Sequence, residues 1–130
     1  MRRWPDTPEG RVARWAAIVL STSLVLSICV LVAIFGLSYH SSPLILATCL
    51  VAAIYIVQIF VLDRIERYSK SVRKRIWIFS LVMHLPFVVL AAISAFLWSW
   101  GALIVFSPEL ISVLLHLRGI ALNEGGARVA

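Results

Sequence analysis

The sequence predicts an all-α fold of the polytopic integral membrane class, a four-transmembrane-helix bundle, and three observations carry that expectation. Hydrophobic residues make up 62% of the 130-residue chain and charged residues only 14%, more apolar surface than a soluble domain of this length could bury. The twelve Lys and Arg fall into short clusters separated by long runs with almost no charge. Those runs are of spanning length, about 17 to 23 residues, too long for buried strands.

The elements follow in order along the chain. Residues 1–14 read as a basic tail, with Arg2, Arg3, Arg11 and Arg14 ahead of the first apolar run. Residues 15–37 are the clearest span, because about 23 uncharged residues reach about 35 Å as a helix, slightly more than a ~30 Å hydrocarbon core. That run exceeds the apolar region of a secretory signal and enters Ser38, Tyr39 and His40 without a small-x-small cleavage site, so it reads as a retained helix. Ser38 to Pro43 forms a tight polar connection with a proline where a helix can begin, and residues 44–62 supply the second span of an antiparallel hairpin. Residues 63–75 are too densely charged for lipid, and Asp63, Arg67 and Lys70 stand at helical spacing.

Residues 76–97 form the third span, interrupted only by His84 and by Pro86, whose missing backbone donor is expected to kink the helix. A turn at Trp98 to Gly101 leads to the fourth span, 101–117, about 17 residues long and barely sufficient to cross. Ser107, Pro108 and Glu109 also have the composition of a helix start, so a break at 107–108 near mid-membrane is expected as an alternative to a continuous helix. Residues 118–130 read as a second tail.

Lys and Arg collect in cytoplasmic loops, and here they fall before the first span, between the second and third, and after the fourth. Both termini and the middle loop are therefore expected in the cytoplasm, of a bacterial inner membrane by preference. Trp15 and Trp77 at the inner boundary, and Tyr39, Trp98 and Trp100 at the outer one, suit the interface where amphipathic rings collect. On this reading the net charge of +6 encodes orientation, and no nucleic-acid partner is expected.

Few residues remain that could carry chemistry. Glu109 is first, since a carboxylate in the hydrocarbon region costs several kcal/mol, about 2.5 to 3.5 on insertion scales, unless it is neutral, paired or hydrated. His84 lies at a matching depth: counted at 1.5 Å per residue, about 12 Å from Ile76 for His84 and about 13 Å from Arg118 for Glu109. Spans joined by a tight turn pack as neighbours, so the two side chains are expected to meet, with a histidine bonded to a carbonyl freed by Pro86 as the plainer alternative. Glu109, Ser112, His116, Gly119 and Asn123 recur at spacings of three and four and share one helix face, of which Glu109, Ser112 and His116 are expected to line the interior. His116 is expected near the inner helix end and well away from His84, so no bis-histidine haem site, and no other cofactor or metal, is expected.

Ser23 and Ser27, and Ala91 and Ala95, are small residues four apart that suit close helix packing. Gln58 could bond across helices or reach toward the interface. Cys29 and Cys49 read as small buried fillers, with a disulfide as a minor alternative. Arg64, Arg67, Lys70, Arg73, Lys74 and Arg75 form a candidate contact for anionic lipid.

No nucleotide loop, zincin motif, nucleophile elbow or paired-carboxylate arrangement is present, so an enzyme is not expected. In size and span count alone the chain is similar to compact four-helix membrane families such as small multidrug transporters and four-span accessory proteins, without a diagnostic motif of any. Two functions follow as expectations. The first is a self-associating or accessory subunit of a larger membrane-protein complex, a homo-oligomer included. The second is a small proton- or cation-coupled transporter that uses an intramembrane glutamate.

Overall fold

The structure, a computed structural model, describes residues 3–35, 42–97 and 101–128. They form four α-helices: α1 (Pro8–Phe35), α2 (Ser42–Asp63), α3 (Lys70–Leu97) and α4 (Gly101–Arg128), with a short 3-10 turn at Ile65–Arg67. Tyr39, Trp98 and Trp100 lie outside the described residues, as do the side chains of Ala91 and Ala95. Within α1, Pro8–Cys29 is long and apolar enough to cross a membrane; over their described residues the other helices do not meet that measure, and Thr48–Asp63 of α2 is a shorter apolar helix.

Three helices begin or end beyond the expected apolar runs. α1 starts at Pro8, inside what composition marks as a tail, because Thr7, Pro8 and Glu9 make a helix start. The Thr7 hydroxyl accepts from the Gly10 backbone N–H at 3.0 Å, Pro8 occupies the first helical position, and Glu9 lies in the positive first turn. At the other end of the chain, α4 continues through residues 118–128. The middle segment is not the continuous helix its charge spacing suggests: α2 stops at Asp63, Arg67 lies in the 3-10 turn, and α3 starts at Lys70.

The expected break at 107–108 is absent, and α4 runs straight through Pro108. Proline at position 108 cannot donate to the carbonyl four residues earlier, that of Ile104. The Ser107 hydroxyl donates to that carbonyl at 2.7 Å and replaces the lost bond. A serine that composition offers as a helix cap is thus the repair for a proline inside one.

α4 packs along both α1 and α3, and α1 also packs on α2. α2 and α3 follow each other in sequence but meet only sparsely, so the bundle is closed through α1 and α4 and open between α2 and α3. At the end where α1 and α3 begin, here called the basic end, the helices are tied tightly. Ala13, Ala16, Ala17 and Leu20 of α1 are buried with Leu62, Ile65 and Trp77. Gly119 of α4 is required beneath Trp77, since a Cβ there would lie inside the indole ring. Arg14 Nε meets Asp63 Oδ1 at 3.1 Å, and Glu66 Oε1 accepts from the Thr7 backbone N–H at 3.0 Å and from its hydroxyl at 2.6 Å.

Polar residues share the interior with that apolar cluster, while many large apolar side chains face outward. Ser23, Gln58, Ser80, His84, Glu109, Ser112, His116 and Asn123 are buried, whereas Leu46, Phe79, Phe96 and Ile104 face outward. Cys29 and Cys49 belong to that outward face; they are exposed and free, not buried fillers and not a disulfide.

Candidate functional site

Each helix sends polar side chains into the centre of the bundle, and Glu109 of α4 gathers one from each of the other three. The Ser23 hydroxyl of α1 donates to Glu109 Oε1, and the Tyr55 hydroxyl of α2 donates to the same oxygen at 2.5 Å. On the other carboxyl oxygen, Oε2, His84 Nδ1 of α3 approaches to 2.6 Å. That short contact needs one proton, held by either the ring or the carboxyl. Glu109 is 3% exposed and His84 1%, so bulk solvent does not compete for these bonds. His84 therefore bonds the carboxylate and not a carbonyl freed by Pro86.

A second polar group continues from His84 toward the basic end. The His84 and His116 rings lie 5.1 Å apart between centroids. His116 Nδ1 donates to the Ser112 carbonyl at 2.6 Å, which leaves Nε2 facing the Ser80 hydroxyl, also at 2.6 Å. The same Ser80 oxygen lies 3.4 Å from Gln58 Oε1. A neutral His116 takes the Ser80 hydroxyl proton as an acceptor; a protonated His116 donates to Ser80 and turns that hydroxyl toward Gln58. The hydrogen-bond direction along Gln58, Ser80 and His116 thus follows the protonation of one ring.

Beyond His116 the chain of contacts reaches a second carboxylate. Trp77 packs edge-on against His116 at 5.4 Å and donates its indole N–H to Glu9 Oε1 at 3.0 Å. Asn123 Nδ2 donates to the same oxygen at 3.2 Å, and Arg73 Nε pairs with Glu9 Oε2 at 3.3 Å. A line of polar and aromatic side chains therefore runs from Glu109 to Glu9 beside the apolar cluster of Ala13, Ala16, Ala17 and Leu20.

Among the residues singled out by sequence, the structure brings Glu109, His84, Ser112, His116 and Ser23 together. One expectation about them is corrected. His116 is adjacent to His84, not a helix end away: Glu109 and His116 stand two turns apart on α4, and the His84 side chain reaches both. Ser23 donates to the carboxylate, whereas Ser27 faces outward from the bundle. The whole five-residue face of α4 is buried, Gly119 and Asn123 included.

Tyr55, Ser80 and Glu9 were not legible as site residues. A phenol in the middle of an apolar run was the available signal for Tyr55. Trp77, expected at the interface, is fully buried with its N–H satisfied inside the bundle.

The basic cluster divides. Arg73 is held by Glu9 and the Tyr68 carbonyl, Lys74 pairs with Glu124 at 3.3 Å, and Arg64 lies over the Phe60 ring at 5.7 Å. Arg67, Lys70 and Arg75 are exposed. Among the described residues no group of three or more His, Cys, Asp or Glu could hold a metal ion. Both nitrogens of His116 are bonded, whereas His84 bonds through Nδ1 and its Nε2 is buried without a hydrogen-bond partner among the described residues. The chain matches no protein-family model, no curated protein and no solved structure.

Proposed function

We propose that this chain is a four-span, non-enzymatic integral membrane protein whose interior exchanges a proton, or a small cation in its place, at Glu109 and His84. The observation that carries the reading is that one buried carboxylate is bonded from all three other helices. A change of charge at that oxygen pair alters the tether among four helices at once, which is how a bound proton is coupled to a change in helix packing. The groups that follow, His84, His116 and Ser80, supply proton-accepting and proton-donating atoms toward the basic end.

The membrane placement is supported by the many large apolar side chains that face outward, by the apolar stretch Pro8–Cys29, and by basic residues confined to one end. With that end cytoplasmic, the relay opens toward the cytoplasm and Glu109 sits near mid-membrane. A self-associating or accessory subunit, which a span-rich sequence suggests first, would expose the same apolar faces but has no use for an exchangeable proton. The interior favours the coupled carrier.

The test is reconstitution of the full chain in sealed vesicles with an imposed pH gradient and a pH-sensitive dye inside. Dissipation of the gradient by the wild type and its loss in Glu109→Gln is the expected result. Equal dissipation by both, or none by either, would return the network to a purely architectural role and favour the accessory subunit.

A further inference from the structure

The opening between α2 and α3 is a groove of about 430 Å³. Its walls are apolar, with Val57 on α2 and Val72, Ile76 and Phe79 on α3. Gln58 and Ser80 form its buried side and Arg75 stands at its basic end. The groove is held open from below: Arg14–Asp63 and Thr7–Glu66 tie the end of α2 and the connecting segment to α1, away from α3.

Gln58 is the second observation. Its amide oxygen faces Ser80, and its amide nitrogen is buried, without a hydrogen-bond partner among the described residues and without surface open to the groove, so a ligand in the groove reaches it only as the side chain turns outward. A buried donor without an acceptor is unfavourable, and the apolar walls offer none. Arg75 is exposed and makes no ion pair among the described residues. Its guanidinium suits a phosphate, which it binds through two parallel N–H bonds.

We propose that this groove seats one anionic phospholipid of the leaflet at the basic end, with its phosphate on Arg75 and an ester carbonyl accepting from Gln58 Nε2. The proposal rests on the membrane reading above. Along α3 the step from Arg75 to Ser80 is about 7 Å, which suits the spacing from a phosphate across the glycerol to the ester carbonyls. The acyl chains then continue over Val57 and Phe79, both exposed on the outward face. Charge decides the class of lipid, since a headgroup with its own ammonium group competes with Arg75 for the phosphate. Bound in this way, the lipid holds the Gln58 amide with its oxygen toward Ser80, and so presets the acceptor that a protonated His116 requires.

The experiment is native mass spectrometry of the full chain released from mild detergent, titrated with phosphatidylglycerol or with phosphatidylcholine of the same acyl chains. One phosphatidylglycerol should be retained in preference to phosphatidylcholine. Arg75→Gln should weaken it about tenfold and Gln58→Leu several-fold, while Arg67→Gln, an exposed charge outside the groove, leaves it unchanged. Val57→Trp, which fills the groove and keeps every charge, should exclude the lipid. Equal retention of both lipids, or an Arg67 effect as large as the Arg75 effect, or undiminished binding to Val57→Trp, would overturn the groove site. A chain recovered without detergent in the soluble fraction would instead overturn the membrane reading on which it rests.

Discussion

Removing the Glu109 carboxylate should destabilise the bundle more than any other single truncation in its interior. Glu109→Leu deletes the acceptor for Ser23, Tyr55 and His84 together. At about 0.6 to 1.7 kcal/mol for each interhelical bond in a membrane protein, the loss is about 2 to 5 kcal/mol. His84→Leu deletes one of those bonds and leaves Glu109 Oε2 without a partner, a loss of about 1 to 2 kcal/mol. The bond between the two residues is lost in each single variant but only once in the double variant, so the two single losses together should exceed the double loss by about 1 to 2 kcal/mol. Reversible unfolding in mixed micelles of mild detergent and dodecyl sulfate reads these values, with the fluorescence of the buried Trp77 among the signals. Ser27→Leu, at an exposed position, serves as the control and should change little. Losses that add within about 0.5 kcal/mol would show that the two residues do not share a proton or a bond, and would refute the reasoning.

Three further outcomes follow from single contacts. Ser107→Ala should cost about 1 kcal/mol in the native background but almost nothing when combined with Pro108→Ala, whose restored N–H can serve the Ile104 carbonyl; equal costs in both backgrounds would contradict the repair. In a variant lacking Cys29 and Cys49, cysteines introduced at Ser42 and Ser99 should react with an impermeant thiol reagent added outside sealed cells and one at Ser69 should not; labelling at Ser69 would reverse the orientation. The Glu66 carboxyl is held below its ordinary value of 4.5, chiefly by the Thr7 hydroxyl bond and further by Arg14 and Arg73. Because the folded value is the lower one, this tie contributes fully above pH 4.5 and is lost as pH falls through the folded value, so Thr7→Ala should flatten the acid side of a melting-temperature profile; an unchanged profile would remove Glu66 from the account.

Four helices and the meeting of Glu109 with His84 were readable because both rest on length. Uncharged runs count residues, and 1.5 Å per residue converts them to depth. The ends of the helices were not readable in the same way. An apolar run marks where lipid is tolerable, whereas a helix ends where its backbone stops being satisfied, and at the basic end the Thr7 hydroxyl takes the Gly10 N–H while Arg73 and Asn123 reach the Tyr68 and Lys70 carbonyls beyond the apolar stretch. Thr7-Pro8-Glu9 and Ser107-Pro108-Glu109 are nearly the same triplet, yet the first begins a helix and the second lies inside one. What separates them is whether a turn of helix precedes the proline, and composition does not report that. The neighbourhood of His116 was not readable because a count along the helix gives backbone depth alone, whereas the His84 side chain spans the two turns between Glu109 and His116. Tyr55 and Ser80 were passed over because each is amphipathic or small enough to sit in an apolar run unremarked; which way such a residue faces is decided by its neighbours and not by its own hydropathy.

An exchangeable proton on Glu109 in the bundle interior is read by pH-difference infrared spectroscopy of the reconstituted full chain. A carboxyl stretching band should rise or fall with pH in the wild type, persist in Glu9→Gln, and be missing from Glu109→Gln. A difference spectrum unchanged by Glu109→Gln would mean that this carboxylate holds one protonation state throughout, and the exchange site would have to be abandoned.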